Sequence, residues 1–117
     1  MRRREQGEPY WRVSVTDAKK LLDEGGAVVV DVRNKDEYLS GHVKGALFIP
    51  VDQVLERIEE LPKGKKLLFI CAAGVRSGLA AEMAAAMGFQ PDILYNIEEG
   101  TPTWVAQDLP TSHGTDP

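Results

Sequence analysis

Short apolar runs alternate along the chain with segments whose apolar residues recur at helical spacing. Three runs lack polar alternation, which is typical of strands buried on both faces: residues 27–30, 46–49 and 67–70. A fourth run, residues 93–95, predicts a last core strand. Helices are predicted over residues 15–22, 51–61 and 79–87 and from Pro102. Because strands alternate with helices, the sequence predicts an α/β fold with a central, mostly parallel sheet and helices on both faces.

Breaker residues mark the ends of the predicted helices. Ser14 or Thr16 can cap the first helix, and Gly25 ends it. Pro62 stops the second helix, and Gly88 ends the third.

The chain of 117 residues has the length of one compact domain. No repeat or linker interrupts residues 10–110, which we expect to form that domain. Residues 1–9 have three arginines directly after Met1 but lack the apolar stretch of a signal peptide, so we expect a frayed or disordered tail. Residues 111–117 are polar and rich in breakers, which also predicts a disordered tail.

Composition excludes several classes of protein. Apolar residues make up 43% and charged residues 27%, an ordinary globular balance, and the net charge of −4 argues against a general nucleic-acid binder. The longest apolar run, residues 67–73, is far shorter than the roughly 20 residues that span a bilayer. We therefore expect no nucleic-acid or membrane partner and a cytoplasmic protein.

The chain has one cysteine and two histidines, so we expect no internal disulfide, no metal site and no other cofactor. Any chemistry must rest on one thiol or on none.

That thiol, Cys71, lies where a buried strand is predicted to meet a helix. Gly74 lets the backbone curl, and Ser77 is predicted to start the helix. Curled amides before a helix form an anion-binding nest that favours the thiolate, and Arg76 adds a permanent charge. Ser77 can cap the helix or donate to sulfur. The alternative for a lone cysteine is a small buried hydrophobe without chemistry.

Two motifs resemble the rhodanese-like domains, the single-domain sulfurtransferases, over about residues 10–110. The first is Asp31-Val32-Arg33 followed by Glu37-Tyr38, Gly41-His42-Val43, Gly45-Ala46 and Ile49-Pro50. The second, residues 71–77, is similar to the active-site loop of the family, with Cys71 at the persulfide-forming position. Residues 88–110 resemble the last strand and helix of the family.

The resemblance implies a thiosulfate sulfurtransferase-like enzyme. The Cys71 thiolate would take a sulfane sulfur from a donor such as thiosulfate or a thiol persulfide, and a thiophilic acceptor, cyanide or a thiol, would remove it. The remaining loop residues would bind the substrate: Ala72, Ala73, Gly74, Val75, Arg76 and Ser77. Relatives with phosphatase or arsenate-reductase activity have a loop one residue longer than the six residues from Cys71 to Arg76.

The first motif is expected to be structural. We expect Asp31 and Arg33 to point to opposite faces of a continuing strand, and so not simply to pair with each other. Arg33 and Glu37 can pair if residues 34–39 are helical. We expect His42 to pack or hydrogen-bond its loop, because a thiolate at a helix amino terminus needs no general base.

Two departures from the family pattern bear on the donor. Many members have a basic residue after the cysteine, where this chain has Ala72, and Glu98-Glu99 replaces part of a frequent Gly-Gly. If residues 98–99 border the pocket, both changes weaken attraction for dianionic thiosulfate. The hypothesis is that thiosulfate is a poor donor although the persulfide still forms.

The alternatives are a non-catalytic interaction module of the same fold and a persulfide carrier that delivers sulfur to a protein acceptor. As partners we expect a small-molecule sulfur donor and acceptor, and we expect a monomer or weak dimer.

Overall fold

The computed structural model describes residues 2–117 as an α/β domain built on one parallel sheet. Across this sheet the strands lie in the order 11–13, 94–97, 66–70, 27–31 and 47–48 by residue number, and every neighbouring pair is parallel. They are β1 (Trp11–Val13), β2 (Ala27–Asp31), β4 (Leu47–Phe48), β5 (Lys66–Ile70) and β6 (Leu94–Ile97). A small antiparallel sheet pairs β3 (His42–Val43) with β7 (Thr111–Ser112).

In the described part of the chain, four α-helices cover the parallel sheet and its carboxyl edge: α1 (Val15–Glu24), α2 (Lys35–Ser40), α3 (Val75–Ala86) and α4 (Gly100–Ala106). The alanines of α3 pack with Phe69 and Leu94 on one face of the sheet. Residues of α1 and α4, Ala18 and Trp104 among them, pack with Leu68 on the other face. Both faces are thus buried, as the unbroken apolar runs indicate, and the predicted α/β architecture is confirmed. Among residues 2–117, no helix is long and apolar enough to cross a membrane.

The predicted helix over residues 51–61 is wrong. Two short 3-10 helices, Val51–Gln53 and Ile58–Glu60, occupy this segment. The apolar pairs 51/54 and 58/61 are three residues apart, a spacing that fits the three-residue turn of a 3-10 helix as well as an α-helix. Val54 and Leu61 therefore reach the core without a continuous helix.

The expected separation of Asp31 and Arg33 is also wrong. Residues two apart in an extended chain share a face, and both side chains are buried. Arg33 Nε donates to Asp31 Oδ1 at 2.9 Å and Arg33 Nη2 to Oδ2 at 2.6 Å, a bidentate ion pair. Arg33 Nη2 also donates to Gly41 O at 2.8 Å, which ties the end of β2 to the chain after α2.

Residues of both predicted tails make contacts with the rest of the domain, Met1 lying outside the described residues. Arg3 and Arg12 exchange backbone hydrogen bonds at the edge of β1, and Glu8 accepts from the Arg12 guanidinium. At the other end, β7 pairs with β3, and Gly114 N donates to Leu39 O at 2.8 Å. Polar, breaker-rich segments can make such contacts because exposed strand edges offer unpaired backbone groups.

Candidate active site

Cys71 directly follows β5 at the carboxyl edge of the sheet and is 1% exposed. The chain then turns into α3, whose N-cap is Gly74, not Ser77 as predicted. Gly74 has a left-handed φ of 89°, and a Cβ there would lie 2.8 Å from Glu98 O. The local backbone thus requires glycine, because both the conformation and the contact exclude a side chain.

Two backbone amides and one hydroxyl surround the sulfur of Cys71. Gly74 N and Ser77 N lie 3.2 and 3.3 Å from Sγ, and the Ser77 hydroxyl oxygen lies 3.2 Å from it. Burial raises the pKa of the Cys71 thiol, but hydrogen bonds from the Ser77 hydroxyl and from the amides of Ser77, Ala73 and Gly74 outweigh it. The pKa therefore lies below its ordinary value. Since Ser77 lies in the first turn of α3, the helix dipole acts in the same direction.

Asn96 supports the loop from the neighbouring strand β6. Its Nδ2 donates to Gly74 O at 3.0 Å, and its Oδ1 accepts from Ser77 Oγ at 2.6 Å. Asn96 is 1% exposed and cannot hydrogen-bond to water, so these two bonds satisfy its buried amide. The side chain thereby joins the two loop residues that bond to sulfur.

The base of the loop rests on the start of α4. Thr101 N and Oγ1 donate to Cys71 O at 2.9 and 3.2 Å. Gly100, with φ 81°, lies so close to the loop that a Cβ there would overlap the carbonyl oxygen of Ala72. The loop is therefore held on two sides, by Asn96 and by these α4 residues.

The guanidinium of Arg76 is bonded to a carboxylate from a distant part of the chain. Arg76 Nη1 and Nη2 donate to Glu37 Oε1 and Oε2 at 2.7 and 2.9 Å, and hydrogen bonding by Arg76 lowers the pKa of Glu37 to about 2. Glu37 also caps α2, accepting from Asn34 N at 3.0 Å. The pairing of Arg33 with Glu37 considered from the sequence is thus replaced, and the cation of the loop is already compensated.

The carboxylates of the two glutamates expected to add charge to the pocket are both hydrogen-bonded, and Glu98 lines a cavity beside the loop with Ala73 and Gly74. The backbone of Glu98 borders Gly74, but its carboxylate accepts from Arg3 at 2.7 Å and from Arg12 at 3.4 Å. Glu99 Oε1 accepts from Val15 N at 2.7 Å, at the start of α1. Glu37, and not this acidic pair, is the carboxylate joined to the loop.

His42 lies in the segment after α2 and is fully buried. Its Nδ1 lies 2.8 Å from Tyr38 O and its Nε2 lies 2.6 Å from Asp116 O. Its ring also stacks on Tyr38 with 3.7 Å between centroids. These contacts join α2, β3 and the carboxyl-terminal segment, which is the kind of role expected for His42 from the sequence.

Three residues around the loop were not singled out as site residues by the sequence reasoning: Asn96, Gly100 and Thr101. A polar side chain inside the apolar run of β6 is a usable signal, because a buried amide needs partners. Nothing local marks Thr101 or the close approach of Gly100, since both depend on how α4 meets the loop.

Residues 14–107 match the family model of the rhodanese-like domain. The chain is 31% identical over 103 residues to the thiosulfate sulfurtransferase GlpE of Coxiella burnetii, across 88% of this chain and 94% of that protein. The crystal structure of a rhodanese-related protein from Thermoplasma volcanium matches with a TM-score of 0.74 at 26% identity, over 86% of this chain and 96% of that one. The human single-domain sulfurtransferase TSTD1 matches with a TM-score of 0.67 at 27% identity, over 86% and 98% of the two chains.

Proposed function

The chain belongs to the rhodanese-like domain family, and on that premise we propose that it is a sulfurtransferase that carries sulfane sulfur on Cys71. One observation supports this above the others: two backbone amides and a hydroxyl converge on a buried sulfur at the start of a helix. An inert buried cysteine would not need three polar neighbours, whereas a thiolate does.

In the first half-reaction, the Cys71 thiolate attacks the outer sulfur of the donor. A bond forms between Sγ and that sulfur, and the sulfur–sulfur bond of the donor breaks. The electron pair leaves with sulfite if the donor is thiosulfate, or with a thiolate if the donor is a thiol persulfide. The negative charge moves from Sγ to the outer sulfur, where the loop amides can stabilise it by donating hydrogen bonds.

In the second half-reaction, a thiophilic acceptor attacks the outer sulfur of the persulfide. Cyanide becomes thiocyanate, or an acceptor thiolate becomes a persulfide, and Cys71 leaves as the thiolate. The donors around Sγ stabilise this leaving group, so the same amides serve both halves of the cycle.

Steady-state kinetics test the proposal. With donor and cyanide both varied, a Cys71 persulfide intermediate predicts parallel double-reciprocal lines and no activity in Cys71→Ser. Because Cys71 is the only cysteine, no other thiol can substitute for it. Intersecting lines, or activity retained in Cys71→Ser, would contradict the persulfide route.

We further propose that a thiol persulfide is a better donor than thiosulfate. The support is electrostatic: Arg76 is the only charged residue from 71 to 77, and Glu37 compensates it through two short hydrogen bonds. A dianion gains little from a neutralised cation, whereas a persulfide that presents an apolar or uncharged body loses little.

Glu37→Gln tests the choice of donor. Glutamine keeps the capping bond to Asn34 and removes the negative charge beside Arg76. At an open site, the loss of this repulsion should strengthen the binding of a dianion by about 1 kcal/mol. The KM for thiosulfate should therefore fall about fivefold. The KM for the persulfide of 2-mercaptoethanol, whose organic part is uncharged, should change less.

Asp23→Asn is the matched control, because Asp23 pairs with Lys19 at the end of α1, at the opposite edge of the sheet. It should leave both KM values unchanged. An unchanged thiosulfate KM in Glu37→Gln would refute the electrostatic account of donor choice.

A second candidate function is a persulfide carrier that passes sulfur to another protein. It is supported by apolar side chains beside the loop: Val75 is 79% and Leu79 is 46% exposed, one turn apart on α3. Replacing both with serine should slow transfer to a reduced dithiol protein such as thioredoxin, and leave the rate with cyanide unchanged. Equal effects on both acceptors would favour the free-standing enzyme.

A further inference from the structure

We propose that Asn96 is a positioning residue for the nucleophile: it holds the Ser77 hydroxyl hydrogen while Cys71 is a thiol and releases it to sulfur when the thiolate forms. The proposal deepens the sulfurtransferase function, on which the purpose of this arrangement rests. Its basis is the chain of contacts from Asn96 Oδ1 to Ser77 Oγ at 2.6 Å and from Ser77 Oγ to Cys71 Sγ at 3.2 Å.

The orientation of the Asn96 amide follows from its partners. Gly74 O can only accept, so the atom 3.0 Å from it is the NH₂ group and the atom facing Ser77 is the carbonyl oxygen. Gly78 makes room for this amide, since a Cβ there would lie 3.3 Å from Asn96 Nδ2. The amide is therefore held by Gly74 O and Ser77 Oγ, and a side chain at position 78 would crowd it.

The number of hydrogens determines what Ser77 can do. A serine hydroxyl has one hydrogen, and Asn96 Oδ1 has none, so their contact requires the Ser77 hydrogen. Cys71 can then bond to Ser77 only by donating its own S–H hydrogen to Oγ. In the thiol state the chain of donors runs from Cys71 through Ser77 to Asn96.

Ionisation reverses one link of this chain. When the thiol proton goes to solvent, sulfur has no hydrogen, and the bond to Ser77 survives only if the Ser77 hydrogen turns towards sulfur. Asn96 Oδ1 then has no donor in a buried site, which opposes ionisation by the worth of one neutral hydrogen bond. Asn96 therefore restrains a thiolate that the backbone amides favour.

The same hydrogen can follow the charge through sulfur transfer. In the persulfide the charge lies on the outer sulfur, so the Ser77 hydrogen returns to Asn96. When the acceptor removes that sulfur, Sγ becomes the leaving thiolate and the hydrogen turns back. One hydroxyl thus serves both states without a net proton transfer.

A double-mutant cycle tests the proposal through the pH dependence of Cys71 alkylation by iodoacetamide, which reports the thiolate. Asn96→Leu should shift the midpoint to lower pH by about half to one unit, the equivalent of one neutral hydrogen bond. The double variant Ser77→Ala/Asn96→Leu should have the same midpoint as Ser77→Ala alone. A role limited to holding Gly74 O would give the same shift in both backgrounds, and that result, or no shift in either, would overturn the proposal.

A measurement on the unsubstituted Asn96 guards against a variant that fails to fold. The side-chain amide nitrogen shift of Asn96 should titrate with Cys71 in the wild type, because Oδ1 loses its donor, and should lose most of this response in Ser77→Ala. A response of equal size in both proteins would refute the hydrogen transfer. Neither readout uses a sulfur donor, so a protein that passes both tests but forms no persulfide would refute only the sulfurtransferase function.

Discussion

Replacing Gly100 with alanine should displace the base of the Cys71 loop, because the added methyl group has no room there. At φ 81° an alanine is strained by about 1–2 kcal/mol. Its Cβ would also overlap Ala72 O and lie 2.9 Å from Cys71 O. Relief of that overlap separates α4 from the loop and breaks the two hydrogen bonds from Thr101 to Cys71 O, each worth about 1 kcal/mol. The free energy of unfolding should fall by about 3–4 kcal/mol in total.

Gly45→Ala is the matched control for this substitution. Gly45 has nearly the same φ, 82°, but a Cβ there meets nothing within 4 Å. The control variant therefore has the backbone strain without the overlap. Its free energy of unfolding should fall by about 1–2 kcal/mol, and the alkylation rate of Cys71 should stay unchanged.

Urea unfolding gives the two losses of stability, and the rate of Cys71 alkylation at neutral pH reports the state of the loop. Gly100→Ala should lose more stability than Gly45→Ala and should also alkylate more slowly, because the displaced amides no longer favour the thiolate. Equal losses in the two variants, or an unchanged alkylation rate in Gly100→Ala, would refute the role given to this close approach.

Three further predictions concern the scaffold. Asp31→Asn leaves the buried Arg33 without its counter-charge and should cost about 3–5 kcal/mol in urea unfolding; a loss below about 1 kcal/mol would contradict a structural ion pair. Hydrogen bonding by Arg12 lowers the pKa of Glu8 from 4.5 to about 2, so its stabilisation is complete above pH 4.5 and is lost as the pH falls towards 2. Glu8→Gln should therefore destabilise the protein at neutral pH and have little effect near pH 2, which unfolding at both pH values measures. Removal of residues 111–117 should cost about 1–3 kcal/mol, because a ring nitrogen of the buried His42 loses its partner; unchanged stability would show that this segment is not part of the domain.

Much of the fold follows from local information. The buried strands are unbroken apolar runs, and α1 begins and ends at residues that cap helices, with Asp17 N donating to Ser14 Oγ and Gly25 at the end. These signals act within a few residues of each other, so one sequence is enough to find them. The place of Cys71 at the end of β5 is of the same kind.

What the sequence could not predict depends on contacts between distant segments. Glu37 and Arg76 are 39 residues apart, and the bond between Asn96 and Ser77 requires β6 to lie beside β5. Residues 111–112 pair with β3 through backbone hydrogen bonds, for which side-chain composition gives no signal. Around the candidate site, the position of Cys71 and its loop at the end of a strand could therefore be predicted, but most of their hydrogen-bond partners could not.

The most direct test of the account is the intact mass of the protein, under non-reducing conditions, after incubation with a thiol persulfide or thiosulfate. The account predicts that the wild type gains one sulfur atom, that cyanide removes it, and that Cys71→Ser gains none. A persulfide with an uncharged organic part, such as that of 2-mercaptoethanol, should load the protein more completely than thiosulfate, because Glu37 already compensates Arg76. No added sulfur from either donor would contradict the central claim and favour an interaction module that retains the fold.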